Sequence, residues 1–224
     1  DSWDALLTAM THKGYTKQEL ISAGLAVNGK NGRLYDKFRN RLMLPVIDVR
    51  GDVVGFGSRV LDKSEPKYMN TPETLTYSKR RILYGMNLAK KSKRSNIILC
   101  EGNLDVVTLH QAGFDNAVAS MGTALTQEQL RLLSRYTKEL VLCYDNDNAG
   151  QQATRRALEL LNNSEFSVKV LQLPRRLVDG GYIKQDADDF IKLQGPAAFE
   201  RLLTGSENGV EFRLDQIAGK YDLT

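Results

Sequence analysis

The sequence has few of the residues that build disulfide scaffolds, zinc sites or membrane spans. It contains two cysteines, Cys100 and Cys143, and two histidines among its 224 residues. Zinc sites and disulfide frameworks need paired spacings that so few residues do not offer, so we expect buried, reduced thiols and no zinc. No apolar run approaches the roughly 18 to 20 residues of a membrane span, and the first residues lack the basic and apolar segments of a signal peptide. These absences favour a cytoplasmic protein without a membrane partner.

The residues that are present indicate a globular protein whose charge is unevenly distributed. Hydrophobic residues make up 42% and charged residues 26% of the chain, which is ordinary for a folded soluble domain. Lysine and arginine exceed aspartate and glutamate by nine over residues 1–100, and they fall short by five over residues 101–224. Such an asymmetry indicates a polyanionic partner for the first part and cations for the second, although chance differences between two halves remain an alternative.

Residues 1–94 are predicted to form a small, basic α+β lobe. Two β-rich runs, 42–49 and 53–60, flank the turn residues 50–52 and predict a hairpin. A short helix from Thr16 to Gly24 is predicted by Thr16 as its cap and Glu19 three residues later. We expect an irregular polar stretch over residues 62–79 and a helix over residues 83–91.

Residues 95–178 alternate between apolar runs and helical patterns. The predicted strands are residues 97–100, 117–120, 140–144 and 167–171, and the predicted helices are residues 104–112, a helix from 126, and 149–161. This alternation predicts a Rossmann-like parallel sheet with helices on both faces. Residues 179–224 are predicted to begin a helical C-terminal subdomain, so the expected fold class is α/β with three parts.

Acidic residues follow three of the predicted strands. Glu101 and Asp105 follow the first strand, Asp145 and Asp147 the third, and a last cluster at residues 186–189 lies past the fourth. The carboxyl ends of parallel strands meet at one edge of a sheet, so these carboxylates should converge there. They would repel one another unless cations shared the site, and oxygen ligands of this kind suit Mg²⁺ or Mn²⁺. A cluster of this kind taken alone is more often a turn or a helix cap than a metal site, and only the joint arrangement at one edge of the sheet favours metal binding.

The acidic motifs and the basic lobe together resemble a known family. The pattern Glu101-Gly102-x-x-Asp105, followed by Asp145-x-Asp147-x-x-Gly150, is similar to the signature of the Toprim domain, with Asn146 where that signature usually has glycine. The basic lobe resembles that of bacterial DnaG-type primases in the segments 38–45, 55–59, 66–74 and 83–85, as do residues 120–126 and 186–188. The resemblance runs over nearly the whole chain.

This resemblance implies synthesis of short RNA primers on single-stranded DNA by two-metal nucleotidyl transfer. It implies that Glu101, Asp145 and Asp147 are the catalytic residues and main ligands of two or more Mg²⁺ or Mn²⁺ ions. Asp105, Asp186 and Asp188 are implied as outer residues around these ions or as ligands of further ions.

The resemblance also implies roles for the basic lobe and a set of partners. The implied nucleotide-binding residues are Arg39, Asn40, Lys67, Tyr68, Asn70 and Lys79, and the implied DNA-binding residues are Arg41, Arg59 and Lys67. The expected partners are a single-stranded DNA template, ribonucleoside triphosphates and, through a C-terminal domain that the family carries and this sequence lacks, the replicative helicase. We expect a monomeric fragment of such a protein.

Three other functions fit parts of the sequence. A Toprim-type nuclease would use the same carboxylates for hydrolysis, but the primase-like basic lobe argues against it. An inert DNA- or nucleotide-binding module would have no reason to keep so many acidic groups together. A phosphotransferase with an aspartyl nucleophile would explain neither Glu101-Gly102 nor the basic half.

Overall fold

The computed structural model describes residues 2–174, 176–178, 181–183, 185–212 and 214. Its helices are α1 (Ala5–His12), α2 (Lys17–Ser22), α3 (Met86–Ala89), α4 (Asn103–Gln111), α5 (Gln127–Leu133), α6 (Asn148–Leu161), α7 (Ala187–Gln194) and α8 (Pro196–Thr204). Its strands are β1 (Ala26–Asn28), β2 (Leu34–Asp36), β3 (Arg41–Ile47), β4 (Val53–Val60), β5 (Tyr68–Asn70), β6 (Leu83–Tyr84), β7 (Asn96–Cys100), β8 (Ala117–Ser120), β9 (Glu139–Cys143), β10 (Ser167–Val170), β11 (Arg176–Val178), β12 (Gly181–Ile183) and β13 (Glu207–Asn208).

The chain begins with two short helices that pack on the β1–β2 hairpin. The predicted capping box is confirmed, because the Thr16 side chain accepts from the Glu19 backbone and the Glu19 side chain accepts from the Thr16 backbone. The buried carboxylate of Asp36 accepts 2.8 Å hydrogen bonds from the backbone N–H groups of Leu6 and Leu7. It therefore satisfies donors that a helix N-terminus otherwise leaves without partners, and it joins α1 to β2.

The predicted hairpin is confirmed as β3 and β4, which form an antiparallel sheet with β5. The Asp48 side chain closes the turn by accepting from the backbone N–H groups of residues 50, 51 and 52. The prediction of an irregular stretch over residues 62–79 is wrong at β5. There the Ser58 hydroxyl donates to the Met69 carbonyl and the Thr71 hydroxyl accepts from the Phe56 N–H, so long-range pairing with β4 overrides the polar local sequence.

A six-stranded sheet in the order β13-β10-β9-β7-β8-β6 forms the centre of the molecule. The four middle strands are parallel, and the strands at both edges are antiparallel to them. One core cluster contains residues of α5 and α6, and the other contains residues of α4, α7 and α8. Helices therefore cover both faces, as the alternating apolar runs predict.

The predicted helix over residues 83–91 is wrong in its first part. Leu83 and Tyr84 pair with β8 as an edge strand, and the helix is limited to α3. Between them Gly85 has a φ of +81°, a conformation that strains any residue with a side chain. A Cβ at this position would also lie 2.7 Å from Val106 Cγ1, so this glycine fixes where the strand ends.

Both cysteines are buried and free, as predicted. Cys100 and Cys143 are direct register partners on the neighbouring strands β7 and β9. A hydrogen bond with Cys143, together with burial, raises the pKa of the Cys100 thiol well above its ordinary value. Within the described ranges, no helix is long and apolar enough to cross a membrane.

Candidate active site

A cleft of about 420 Å³ lies between the carboxyl edge of the central sheet and the sheet formed by β3, β4 and β5. Its acidic side contains five carboxylates, those of Glu101, Asp105, Asp145, Asp186 and Asp188. Its other side contains Arg59, Lys67, Tyr68 and Asn70. The structure thus brings together residues from all three acidic motifs and from the basic lobe, over a sequence separation of more than one hundred residues.

Glu101 and Asp145 lie next to each other because they follow paired strands. Cys100 and Cys143 are register partners at the ends of β7 and β9, so the residues just beyond them leave the sheet side by side. The backbone N–H of Asp145 lies 3.4 Å from Oε2 of Glu101 and donates to it. Glu101 is exposed and Asp145 half-buried, which leaves both carboxylates accessible from the cleft.

Asp147 has a local structural role at the start of α6. Its side chain accepts a 2.8 Å hydrogen bond from the Gly150 N–H and caps the helix. A Cβ at Gly150 would lie 2.0 Å from the carbonyl oxygen of Asp145, a separation that no real structure allows. The glycine of the motif is therefore required for α6 to approach Asp145, and the side chain of Asp147 is not among those that line the cleft.

Asp105 is the buried carboxylate of the site. It occupies the first turn of α4 and accepts a 3.0 Å hydrogen bond from the Gly102 N–H. Burial, followed by the negative charges of Asp186 and Asp145, raises the pKa of Asp105 to about 7. These carboxylates are therefore close enough to repel one another, as the sequence predicts.

The third acidic motif forms the N-terminus of α7. Asp186 caps this helix by accepting from the Asp189 N–H at 2.8 Å. Carboxylate oxygens of Asp186, Asp188 and Asp189 all lie within 4.8 Å of one another and could hold a metal ion. The motif is thus both a helix cap and one wall of the cleft, so the two interpretations left open by the sequence are compatible.

Two further side chains hold Asp188 in this wall. The Thr108 hydroxyl on α4 and the Lys192 ammonium on α7 both donate to its carboxylate. Burial alone would raise the pKa of Asp188, but these hydrogen bonds and the positive charges of Lys192 and Arg59 together outweigh burial and lower it below the ordinary value. Neither residue was predicted from the sequence, although Lys192 lies four positions after Asp188, a spacing that pairs charges on a helix.

The basic side of the cleft is built around an exposed aromatic ring. The guanidinium carbon of Arg59 lies 5.8 Å and the Lys67 ammonium 5.5 Å from the centre of the Tyr68 ring. The positive charge of Arg59 also contributes to the lowered pKa of Asp188 across the cleft. The Asn70 amide donates to the Met121 carbonyl at 3.3 Å and so links β5 to the loop after β8.

Four of the predicted basic-lobe residues are not among those that line this cleft. Arg39 stacks on the rings of Trp3 and Tyr35, with its guanidinium carbon 4.4 Å and 4.8 Å from their centres. The other three make contacts within the basic lobe or with α5: Asn40 donates to Asp62, Arg41 to the Pro66 carbonyl, and the Lys79 carbonyl accepts from Gln129.

The cleft also contains residues that the sequence analysis did not select. Asn103, at the start of α4, contacts the basic lobe so closely that a Cβ at Gly57 would lie 2.5 Å from its Nδ2 atom. Ser58, Ser120 and Gly122 complete the lining where the two sheets meet. These residues carry no charge and belong to no acidic motif, so only the folded arrangement identifies them.

The donor set of the acidic side fits hard divalent cations. It consists of carboxylate oxygens alone, and Mg²⁺ and Mn²⁺ prefer oxygen ligands. A cation among these groups would also relieve the repulsion that, in addition to burial, raises the pKa of Asp105. The observed arrangement therefore fits divalent metal ions.

Comparison with known families gives two matches that together cover most of the chain. Residues 1–90 match the N-terminal domain of the DNA primase catalytic core. Residues 98–191 match the Toprim-like family, a match that implies the use of divalent metal ions.

Known proteins show the same relationship at the level of the whole chain. The chain is 46% identical over 217 residues to a DNA primase of Clostridium acetobutylicum; the match covers 96% of this chain and 35% of that protein. The chain therefore spans about a third of the length of this relative. Two solved structures are similar to 98% of the chain with a TM-score of 0.85: the E. coli primase catalytic core (37% identity, 69% of that chain covered) and a DnaG primase catalytic domain bound to single-stranded DNA (36%, 70%). The chain belongs to the DnaG primase family, to whose catalytic core it corresponds.

Proposed function

We propose that this chain is the RNA-polymerising core of a primase, which synthesises short RNA primers on a single-stranded DNA template from ribonucleoside triphosphates. The observation that carries this proposal is the single cleft in which metal-binding carboxylates face Arg59, Lys67 and Tyr68. A nuclease would also need carboxylates and a surface for nucleic acid, so the choice of a polymerase is supported by the basic lobe, whose residues 1–90 match the N-terminal domain of the DNA primase catalytic core.

The proposed reaction is nucleotidyl transfer. The 3′-hydroxyl of the growing primer attacks the α-phosphate of a ribonucleotide, and pyrophosphate leaves. Mg²⁺ or Mn²⁺, when bound, supplies charge stabilisation for the attacking and leaving oxygens. Glu101, Asp145 and Asp147 are proposed as the main ligands, and Asp105, Asp186 and Asp188 as ligands of further ions or as groups that orient the first three.

The basic side is proposed to position the template and the triphosphate. Arg59 offers a planar guanidinium for bidentate phosphate contact, whereas Lys67 offers a point charge. The exposed ring of Tyr68 lies close to both cations, and aromatic rings of this kind stack on bases of single strands. A similar solved primase domain is described as bound to single-stranded DNA, which supports this assignment.

The predicted binding residues of the basic lobe that lie outside the cleft are proposed to extend the surface that contacts nucleic acid. Arg41 donates to the carbonyl of Pro66, directly before Lys67, and is proposed as a template contact. Arg39, Asn40 and Lys79 are proposed to contact the triphosphate or the template as it enters. The replicative helicase is a further proposed partner, in the cytoplasm at the replication fork.

The experiment that tests this function follows RNA synthesis and DNA integrity in one reaction. The chain is incubated with labelled ribonucleoside triphosphates, a single-stranded DNA labelled with a second fluorophore, and Mg²⁺ or Mn²⁺. We expect ribonucleotide products of primer length that require the template and disappear with a chelator. Degradation of the DNA without RNA products would instead support the nuclease, and saturable DNA binding without either product would support an inert binding module.

A further inference from the structure

A second cleft lies beside the edge strand β6 and contains none of the carboxylates of the proposed active site. It has a volume of about 370 Å³ and is formed by the hairpin turn after β3, the segment leading into β6, α3 and α5. Helix α5 packs on the core cluster that contains Leu130 and Leu133, whereas α4 and α7 belong to the cluster on the other face of the sheet. The cleft shares no lining residue with the proposed active site.

The walls of this cleft are joined by hydrogen bonds. The amide of Gln129 on α5 donates to the carbonyls of Lys79 and Ile82, at 3.0 Å and 2.9 Å. The Lys90 ammonium, which follows α3, donates to the carbonyl of Val49 in the hairpin turn. These contacts hold α5, the hairpin and α3 in fixed positions, so the cleft is formed without a ligand.

Three arginines stand at the rim of the cleft: Arg81, Arg131 and Arg135. Within the part of the chain that the structure describes, their guanidinium groups form no hydrogen bond and no ion pair. The two carboxylates of the rim are already engaged, because Asp48 pairs with Arg50 at 3.0 Å and Glu128 with Arg80 at 3.4 Å. Glu128 also lies close enough to Arg131 for their charges to interact. The three arginines still outnumber the two rim carboxylates, each of which pairs with another arginine, so the rim keeps an excess of positive charge.

The floor of the cleft is aliphatic. Val49, Ile82 and Leu132 are half-buried there, with Leu83 and Met86 fully buried behind them. No aromatic ring lines this cleft among the residues that are described, and a single-stranded nucleic acid site would be expected to offer rings for base stacking. The volume and the apolar floor suit one or two bulky apolar side chains instead.

We propose that this cleft docks an acidic segment of a partner protein, whose apolar side chain occupies the aliphatic floor while its carboxylates pair with Arg81, Arg131 and Arg135. Charge complementarity carries the choice of partner, because a positive rim around an apolar floor matches an acidic segment with an apolar anchor. Docking here would leave the cleft between the two sheets free.

The test uses a fluorescein-labelled hexapeptide of four aspartates followed by two leucines as the probe. Its binding to the chain is measured by fluorescence anisotropy at 50 mM salt, with a hexapeptide ending in two serines for comparison. We expect saturable binding of the leucine peptide, weakened roughly tenfold in the double variant Arg131→Ala/Arg135→Ala. The matched variant Lys13→Ala/Lys17→Ala removes the same charge from exposed positions just after α1 and at the start of α2, and it should bind the peptide like the wild type.

Several outcomes would overturn the proposal. These are the absence of saturable binding, an equal loss in both double variants, or equal affinity for the serine peptide. Competition by a twelve-residue oligothymidylate that also depends on Arg131 and Arg135 would assign the cleft to nucleic acid instead. Thermal unfolding of each variant, monitored by circular dichroism, checks that the substitutions leave the fold intact.

Discussion

Replacing Asp105 with asparagine should stabilise the metal-free protein at pH 8, although the residue lies in the proposed active site. Burial and the negative charges of Asp186 and Asp145 raise the pKa of Asp105 from an ordinary 3.8 to about 7. At pH 8 this carboxylate is ionised in the folded protein despite its surroundings, whereas in the unfolded chain water solvates it fully. The ionised side chain therefore lowers the free energy of unfolding, and a neutral amide of the same shape removes that effect.

The size of the effect follows from the difference between the two pKa values. About three pKa units, at 1.36 kcal/mol each, correspond to about 4 kcal/mol at pH 8. The asparagine amide oxygen accepts more weakly from the Gly102 N–H, and this loss offsets about 1 kcal/mol of the stabilisation. The net increase in the free energy of unfolding is therefore about 3 kcal/mol. The folded state holds the proton of Asp105 more tightly than the unfolded chain, so the loss of stability caused by its ionisation grows as the pH rises from about 4 to 7. The stability gained by Asp105→Asn should therefore fall below about 1 kcal/mol at pH 5.

Urea unfolding at pH 5 and pH 8 in the presence of a chelator measures this difference. Asp189→Asn is the matched control, because it removes a charge from the same group of carboxylates at an exposed position; we expect a change within about 0.5 kcal/mol. Mg²⁺ should then stabilise the wild type more than Asp105→Asn. An asparagine variant less stable than the wild type at pH 8, or a gain of equal size at both pH values, would refute the reasoning.

Three further predictions address the scaffold and the basic side of the cleft. Gly150→Ala should displace Asp145 and destabilise the protein by about 2 kcal/mol or more, measured by urea unfolding, because its Cβ would lie 2.0 Å from the Asp145 carbonyl oxygen; an unchanged midpoint would contradict the close approach. Asp36→Ala should lower the free energy of unfolding by about 1 to 2 kcal/mol, because two N–H groups of α1 lose their acceptor, and an unchanged midpoint in the same assay would remove this capping role. Arg59→Ala/Lys67→Ala should reduce the salt dependence of single-stranded DNA binding, with the slope of log K against log salt smaller by about 1.4 for two lost phosphate contacts; an unchanged slope in anisotropy titrations would place the DNA elsewhere.

The parts of the fold that the sequence predicts are those in which local pattern and burial agree. Strands β7, β8 and β9 are continuous apolar runs because both faces of the sheet are covered. The caps at Thr16 and Thr126 involve residues only three positions apart, so the sequence displays both partners. Strand β6 escapes prediction because its pairing partner β8 lies far along the chain. Strand β5 pairs with the preceding strand β4, but it is too short to display an alternating pattern.

In the candidate site too, some residue positions follow from the sequence and others only from the packing of the folded chain. Carboxylates that directly follow strands converge because of the sheet topology, and Glu101 and Asp145 therefore lie together as expected. Arg39 is different, because its stacking on Trp3 and Tyr35 brings together parts of the lobe that no motif connects. The raised pKa of Asp105 likewise depends on burial under the third motif, which only the packing of α7 against α4 creates.

The central claim is that the cleft between the two sheets carries out templated RNA synthesis. It is tested most directly by ribonucleotide incorporation on single-stranded DNA with Mg²⁺ or Mn²⁺. The wild type is compared with Asp145→Ala and with the control Asp52→Ala, whose side chain is exposed and is not among those that line the cleft. We predict template-dependent RNA products from the wild type, a loss of at least about a hundredfold for Asp145→Ala, and a much smaller change for Asp52→Ala. Equal RNA synthesis by the wild type and Asp145→Ala would contradict the account.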